Sequence, residues 1–243
     1  DYWARQLANL PDLLELPTDR PRPGVMSQRG ARVGFTVDAR IVSQVSELAR
    51  RQGASEFMVA HAALAILLSR LSGSHDISIG TPVAGRGQRA LDPLVGMFVN
   101  TLVLRTDVDP ELSFGDFLAE VRAVDLAALD NADTPFESVV ERVNPVRADS
   151  HAPLTQVWLT VDQSAVAELA TSGVIFEDMA GVRVEALAPV EAPAKVDLVI
   201  GMARGDGGWT GSVIYAADLF DAGSVADLMH RFERVLAACV ADP

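Results

Sequence analysis

The sequence predicts an α+β fold, with one mixed β-sheet and helices packed on it. The 243-residue chain is 49% hydrophobic, enough for one large domain with a substantial core. Short β-branched segments bounded by turn residues are typical of strands, and longer segments with apolar residues on one face are typical of helices. The two kinds are mixed without strict βαβ alternation, which favours an α+β arrangement.

Capping residues mark the predicted helices. Asp38 precedes a segment with one apolar face, and Gly53 follows it. Ser55 begins a second helix, apolar nearly all round through Leu71 and therefore expected inside the molecule. Ser113, with an acidic residue three positions later, resembles a capping box. Two further helices are predicted for "PFESVVERV" and for roughly residues 222–241.

Seven segments are predicted to form strands. They are "RVGFTV", "DISIGTPV", "GMFVNTLVLR", "LTQVWLTV", "VRVEAL", "KVDLVIGMA" and "WTGSVIYA". Before the first of them, "ELPTDRPRPGVMSQRG" is rich in Pro, Arg and Gly, which predicts an extended connector.

Composition narrows the function classes. The net charge of −13 argues against nucleic-acid binding, and no apolar run reaches membrane-spanning length. Cys239 is the single cysteine, so no internal disulfide can form and a reducing, cytoplasmic location is expected. The start "DYWARQL" has neither Met nor signal-peptide features, so we expect a piece of a longer chain.

The sequence predicts no self-sufficient active site and no metal site. The four histidines lack metal-ligand spacing, and no G-x-S-x-G motif is present. Residues 85–90, "GRGQRA", fit a dinucleotide fingerprint but lack the helix that should follow it. His61 is predicted to be a hydrogen-bonded core histidine, whereas His151 lies in a loop.

Polar residues at three places leave structural and functional interpretations open. Asn100 and Thr101 interrupt an apolar strand, where they either bond neighbouring backbone or line a cavity. Asp133 either starts a helix or contributes to a site. Arg86, at the end of "IGTPVAGR", is either a solvated loop residue or part of an ion pair.

Four motifs, in this order and spacing, resemble those of nonribosomal peptide synthetase condensation domains. They are "IGTPVAGR", "VGMFVNTLVLR", "NADTPFESVVERVNP" and "RADSHAPLTQVWLTVDQ". The resemblance covers the whole chain and is to the C-terminal lobe of that family. It implies one lobe of a two-lobed, chloramphenicol-acetyltransferase-like domain with a tunnel between the lobes.

The resemblance also implies a reaction. The α-amine of an acceptor aminoacyl thioester attacks a donor acyl or peptidyl thioester, and a histidine of an H-H-x-x-x-D-G motif assists. None of the four histidines here has Asp four residues later, so that motif is expected in a missing N-terminal lobe. Residues 1–32 would be the connector from that lobe, and the chain alone is expected to be inactive.

Matching positions carry the implied site. Arg86 is expected to pair with the motif Asp of the other lobe, and to be unpaired in this chain alone. The tunnel floor would comprise Thr81, Pro82, Gly85 and Arg86. Asn100 and Gln163 are expected in the substrate channel, and about 186–195 would form a latch crossing to the other lobe. Structural roles are expected for Asp133, Pro135, Phe136 and His151.

The implied partners are the N-terminal lobe, donor and acceptor peptidyl carrier proteins and a neighbouring adenylation domain. No cofactor is expected on the domain itself, only the phosphopantetheine arms of the carriers, and neither nucleic acid nor membrane. Two alternatives stay open: an inactive condensation-like platform that docks carriers or recruits a tailoring enzyme, and an epimerisation domain. The strand "FVNTLVLR" and "DTPFE" favour the condensation type over the second.

Overall fold

The computed structural model describes residues 1–87, 89–91, 93–162, 176–179, 182–184, 193–205 and 207–243. Eight strands lie in these ranges. They are β1 (Gly30–Asp38), β2 (Asp76–Val83), β3 (Asn100–Asp107), β4 (Val157–Asp162), β5 (Phe176–Met179), β6 (Val182–Val184), β7 (Leu198–Gly205) and β8 (Gly208–Ala216). Six form one sheet in the order β1-β8-β7-β4-β2-β3, and β5 pairs with β6.

Six α-helices accompany the sheet in the described ranges. They are α1 (Tyr2–Gln6), α2 (Ala39–Gln52), α3 (Glu56–Ser72), α4 (Phe114–Asp130), α5 (Phe136–Val143) and α6 (Ala222–Ala241). The predicted caps are confirmed: the side chains of Asp38, Ser55 and Ser113 each accept a backbone N–H of the helix that follows. The mixed sheet with packed helices confirms the predicted fold class.

The strand directions bring the carboxyl ends of several strands together at one end of the sheet. β2, β4 and β7 are mutually parallel, whereas β1, β3 and β8 run antiparallel to their neighbours. The carboxyl ends of β2 and β4 therefore lie side by side. In sheets with parallel strands this end is where ligands commonly bind.

Alternate residues of the sheet pack with α2, α3 and α6 in the main core. Eleven of the 17 residues of α3 are buried and Arg70 alone is exposed, as predicted for a helix inside the molecule. A smaller cluster joins α1, α4, α5 and β3. Within the described ranges no single helix is long and apolar enough to cross a membrane; α2 and α3 meet that condition only as a pair, across a 106° bend.

Three elements differ from the sequence-based prediction. β3 begins at Asn100 and not at Gly96, because the preceding residues belong to a loop. α1 lies in the predicted connector; its Trp3 is buried and donates a hydrogen bond to the carbonyl of Asn131 at 3.1 Å. Tertiary packing thus stabilises a helix too short to persist alone. β5, at 176–179, was not predicted.

Between α1 and β1 the predicted connector has no regular secondary structure, yet side-chain contacts attach it tightly to the domain. Arg22 makes a two-pronged contact with Asp197, with Nη1 2.9 Å from Oδ1. The Asp197 side chain is 1% exposed and that of Arg22 18%. A bidentate arginine–carboxylate pair fixes both distance and orientation.

Replacing Arg22 with alanine is expected to lower the free energy of unfolding by about 2 kcal/mol, because it leaves a buried carboxylate unpaired. The partial exposure of Arg22 keeps the effect below that of a fully enclosed pair. Urea denaturation of the chain measures it. Arg20 lies in the same connector and forms an exposed ion pair with Asp221. Arg20→Ala should therefore leave the urea midpoint of unfolding unchanged. Equal effects of the two variants would contradict this assignment.

Candidate functional site

The predicted tunnel-floor residues lie at the end of β2 and in the loop that follows. Thr81 and Pro82 are the third- and second-last residues of β2, and they pair with Leu102 and Thr101 of β3, respectively. Residues 84–99, here called the 84–99 loop, connect the two strands. The backbone pairing therefore fixes both ends of this loop.

Gly85 has a conformation that no other residue fits. Its φ of +63° is in the left-handed region, and an added Cβ would lie 1.7 Å from the carbonyl oxygen of Phe98. The two ends of the loop thus touch backbone to backbone. Glycine at this position is a steric requirement of the loop.

Arg86 is bound within the same loop. Its guanidinium donates hydrogen bonds to the carbonyl oxygens of Leu91 and Leu94, the second at 2.8 Å. It also lies over the ring of Phe98, with Cζ 4.3 Å from the ring centroid. The expectation that Arg86 is unpaired in this chain alone is therefore wrong, because the loop folds back around its charge. The ion pair with another lobe stays a prediction.

Four large apolar residues of the 84–99 loop are exposed. Leu94 and Val99 are 50% and 58% exposed, and Met97 and Val95 are more exposed still. Four apolar side chains close together on one loop form a patch of the kind that marks an interaction surface.

The side chain of Asn100 holds the turn between α4 and α5 through three hydrogen bonds to backbone, here called the Asn100 bracket. Its Nδ2 donates to the carbonyl oxygens of Ala132 and Thr134, both at 2.8 Å. Its Oδ1 accepts the backbone N–H of Phe136 at 3.0 Å. Both amide hydrogens are thus used on backbone, as in the structural alternative. A place in the substrate channel stays a prediction, and it would have to draw on the remaining lone pair.

Asp133, Pro135 and Phe136 surround this bracket. Pro135 is the N-cap residue of α5, and Phe136 is half-buried against the smaller core cluster. Asp133 is exposed, and its Oδ1 lies 3.9 Å from where a Cβ on Gly87 would be. The structure therefore brings the α4–α5 turn alongside the 84–99 loop, although the two are 46 residues apart in sequence (133 minus 87).

The other predicted residues fall elsewhere. His151 is half-buried, and its Nδ1 lies 3.2 Å from the carbonyl oxygen of the adjacent Ala152. Gln163 lies outside the described residues, as does most of the predicted latch. Of that segment 193–195 are described, and Ala194 is buried and donates its N–H to the carbonyl of Gln28 at 3.0 Å.

A cavity of about 500 Å³ opens at the carboxyl ends of β2 and β4. Its described walls include Phe57 and Met58 at the start of α3, residues 81–84, the last residues of β4, and Asp125 and Leu129 of α4. Two smaller cavities, of about 380 and 280 Å³, lie at the other end of α3 and beside α6. Of these three cavities, judged by the lining residues that the structure describes, the 500 Å³ cavity is the one that adjoins the predicted tunnel-floor residues.

A buried histidine–carboxylate pair adjoins this cavity, because Asp125, which is part of the wall, contacts His61. Nδ1 of His61 lies 3.0 and 3.2 Å from the two carboxylate oxygens of Asp125, and the two side chains are 0% and 2% exposed. This confirms His61 as a hydrogen-bonded core histidine. Nε2 of His61 has no hydrogen-bond partner among the described residues. The charge of Asp125 also acts on Tyr2 of α1. Burial of the Tyr2 side chain raises the pKa of its hydroxyl, and the negative charge of Asp125 raises that pKa further.

Asp125 was not singled out from the sequence. It lies in the middle of an amphipathic helix, where an aspartate is ordinarily solvated, and 64 residues separate it from His61. An aspartate on the buried face of α4, one turn after Val121, is the signal that could have found it.

Other candidate chemistry is absent from the described part of the chain. No three His, Cys, Asp or Glu side chains come together there as a metal site. Burial raises the pKa of Cys239 to about 11. Its thiol is therefore protonated at neutral pH and a poor nucleophile.

The comparison with known families decides the assignment. The family described as the condensation domain matches residues 1–243. The chain belongs to this family. Condensation domains are acyltransferases that form amide bonds, and peptide bond formation in nonribosomal peptide synthetases is their general function.

The relatives of this chain are long synthetases, and the chain matches a short part of each. An isonitrile lipopeptide synthase of Mycobacterium tuberculosis is 42% identical over the whole chain, which spans 10% of that protein. A dimodular nonribosomal peptide synthase of Bacillus subtilis is 41% identical, again over 100% of the chain and 10% of the relative. The chain thus spans about a tenth of these relatives.

Solved structures agree on the fold. A four-domain nonribosomal peptide synthetase bound to AMP and glycine superposes with a TM-score of 0.91 and 26% identity, over 99% of this chain and 19% of that one. The X-domain from teicoplanin biosynthesis superposes with a TM-score of 0.87 and 30% identity, over 100% of this chain and 54% of that one.

Proposed function

We propose that this chain is the C-terminal half of an amide-forming condensation domain. The whole-chain family match carries the proposal. Its span of 54% of the separately solved X-domain supports the half-domain assignment. The absence from the sequence of any His followed four residues later by Asp supports a catalytic histidine supplied by a preceding lobe.

In the proposed reaction, two carrier proteins present thioesters on phosphopantetheine arms, and a neighbouring adenylation domain loads one of them. The acceptor α-amine attacks the donor thioester carbon, the C–S bond breaks, and an amide joins the two groups. The amine proton leaves to a base, and the donor thiol is released. The part of this chain is to hold the tunnel floor in place, so that the reacting groups meet in the correct orientation.

Arg86 is the residue through which this chain would support the other lobe. Its guanidinium donates to the carbonyl oxygens of Leu91 and Leu94 of its own loop and lies over the ring of Phe98. These contacts hold the charge of Arg86 within the 84–99 loop, where a carboxylate from the preceding lobe would be attracted to it. Arg86 would then be a positioning residue that links the 84–99 loop to the histidine motif of the preceding lobe.

In the synthetase that carries this chain, Arg86→Ala is expected to slow dipeptidyl thioester formation by about tenfold or more, since charge-assisted hydrogen bonds are lost. Intact-protein mass spectrometry of loaded carriers measures it. Arg86→Lys keeps the charge and should recover only part of the rate, whereas Arg51→Ala, an exposed arginine of α2, should change nothing. Full activity of Arg86→Ala would remove the proposed ion pair and leave the proposed reaction standing.

A second candidate is a platform without condensation activity. The X-domain from teicoplanin biosynthesis has been solved in a complex with OxyB, in which it is 29% identical to this chain at a TM-score of 0.86. The exposed apolar residues of the 84–99 loop could serve such docking. If the unaltered synthetase forms no product with any donor and acceptor pair, this candidate takes precedence.

A further inference from the structure

We propose that the cavity at the carboxyl ends of β2 and β4 is a side-chain subsite, which receives a large apolar side chain from one of the two thioester substrates. This inference rests on the proposed function, because it assigns a role in substrate selection to a cavity that adjoins the proposed tunnel floor. Its chemistry comes from the walls of the cavity.

Size is the first argument. A volume of about 500 Å³ is within the range of cavities that hold small-molecule groups, roughly 300–1,000 Å³. It is ample for a leucine, phenylalanine or tryptophan side chain. The cavity also shares Thr81 and Pro82 with the proposed tunnel floor. A thioester substrate lying along the floor could therefore extend its side chain into the cavity without leaving the tunnel.

Wall composition gives the substrate class. Nine of the 13 described lining residues are apolar. Asp125 is the one charged residue among them, and both of its oxygens already face Nδ1 of His61. At 2% exposure the carboxylate offers almost no free surface to a ligand. The cavity therefore suits a neutral, apolar group better than a cationic one.

Leu129 gives the means of testing the subsite. It lines the cavity and is 50% exposed, so a larger side chain can be placed there without overpacking the core. Leu126 is on the same helix and 39% exposed, but is not part of the cavity wall. Leu129→Trp should partly fill the cavity, and Leu126→Trp is the matched control. Equal melting temperatures for the two variants establish that both fold.

The first experiment uses the synthetase that carries this chain. One series varies the acceptor residue from alanine through leucine to phenylalanine with a fixed donor, and a second varies the donor residue with a fixed acceptor. Leu129→Trp should reduce product from leucine and phenylalanine about tenfold or more relative to alanine, in one series only. That series identifies the substrate that uses the cavity. An equal loss for all side chains, or the same loss in Leu126→Trp, would overturn the inference.

The second experiment does not depend on catalysis. Met58 lies in the cavity wall, so its methyl resonance reports on occupancy. The N-acetylcysteamine thioester of leucine should shift this resonance in the chain and in Leu126→Trp, but not in Leu129→Trp. An unshifted Met58 would refute the subsite even if condensation occurs. Absence of product in the unaltered synthetase, with Met58 shifted, would instead refute the proposed function and keep the cavity as a binding site.

Discussion

Replacing His61 with leucine is expected to lower the free energy of unfolding by about 3–5 kcal/mol, because it leaves the Asp125 carboxylate buried without its partner. Leucine fills a volume close to that of the imidazole, so cavity formation contributes little. Nδ1 of His61 faces both oxygens of Asp125, and both side chains are almost fully buried. Urea denaturation of the chain gives the value.

The double variant His61→Leu with Asp125→Leu makes this prediction specific to the pair. Replacing a whole buried pair by apolar residues is often neutral or stabilising, so the double variant should be more stable than His61→Leu alone. A double-mutant cycle then gives a coupling energy of about 2 kcal/mol or more. A single-variant effect below about 1 kcal/mol, or additive effects, would show that the pair is not a significant source of stability.

Gly85→Ala is expected to destabilise the chain by about 2–4 kcal/mol and to displace the 84–99 loop. The left-handed conformation at φ +63° costs an alanine about 1–2 kcal/mol. The added Cβ would also meet the carbonyl oxygen of Phe98 at 1.7 Å, and this backbone atom cannot move away alone. Chemical denaturation measures the first effect, and limited proteolysis within the loop measures the second.

Gly87→Ala provides the control in the same loop. Among the described residues, the nearest atom to a Cβ there would be Oδ1 of Asp133 at 3.9 Å, an ordinary contact. Its effect should be within about 0.5 kcal/mol, with cleavage unchanged. If Gly85→Ala behaved like Gly87→Ala, the close approach of the two loop ends would not be a feature of the folded chain in solution.

These two predictions differ in how far the sequence anticipates them. "GTPVAGR" marks a turn rich in Pro and Gly, so a special glycine there is predictable from turn chemistry. The partner of that glycine is Phe98, 13 residues later (98 minus 85), and only the closed loop brings it into contact. Likewise, the apolar sequence of α3 predicts that His61 is buried, but no sequence pattern predicts that Asp125 is its partner.

The expectation that Arg86 is unpaired in this chain alone is wrong for a physical reason, whereas its ion pair with another lobe stays a prediction. From the sequence, Arg86 is either a solvated loop residue or part of such an ion pair. A loop that turns back on itself presents several carbonyl oxygens at close range, and a guanidinium with five donors can satisfy them. Local backbone acceptors have no sequence signature, because every residue carries one.

What the sequence by itself determined is local. Caps at Asp38, Ser55 and Ser113, and the apolar faces of the helices, set most of the elements to within a few residues, since these signals act over three or four positions. The family resemblance, confirmed over the whole chain, added the reaction class.

Only the tertiary structure decided the rest. The parallel alignment of β2, β4 and β7 depends on contacts between residues far apart in sequence, and no local pattern encodes strand order. The cavity at their carboxyl ends follows from that alignment. The His61–Asp125 pair depends on the packing of α3 against α4, and the Asn100 hydrogen bonds depend on the contact of β3 with the α4–α5 turn. Each is a meeting of distant residues, which only the folded packing of α3 and α4 on the sheet brings about.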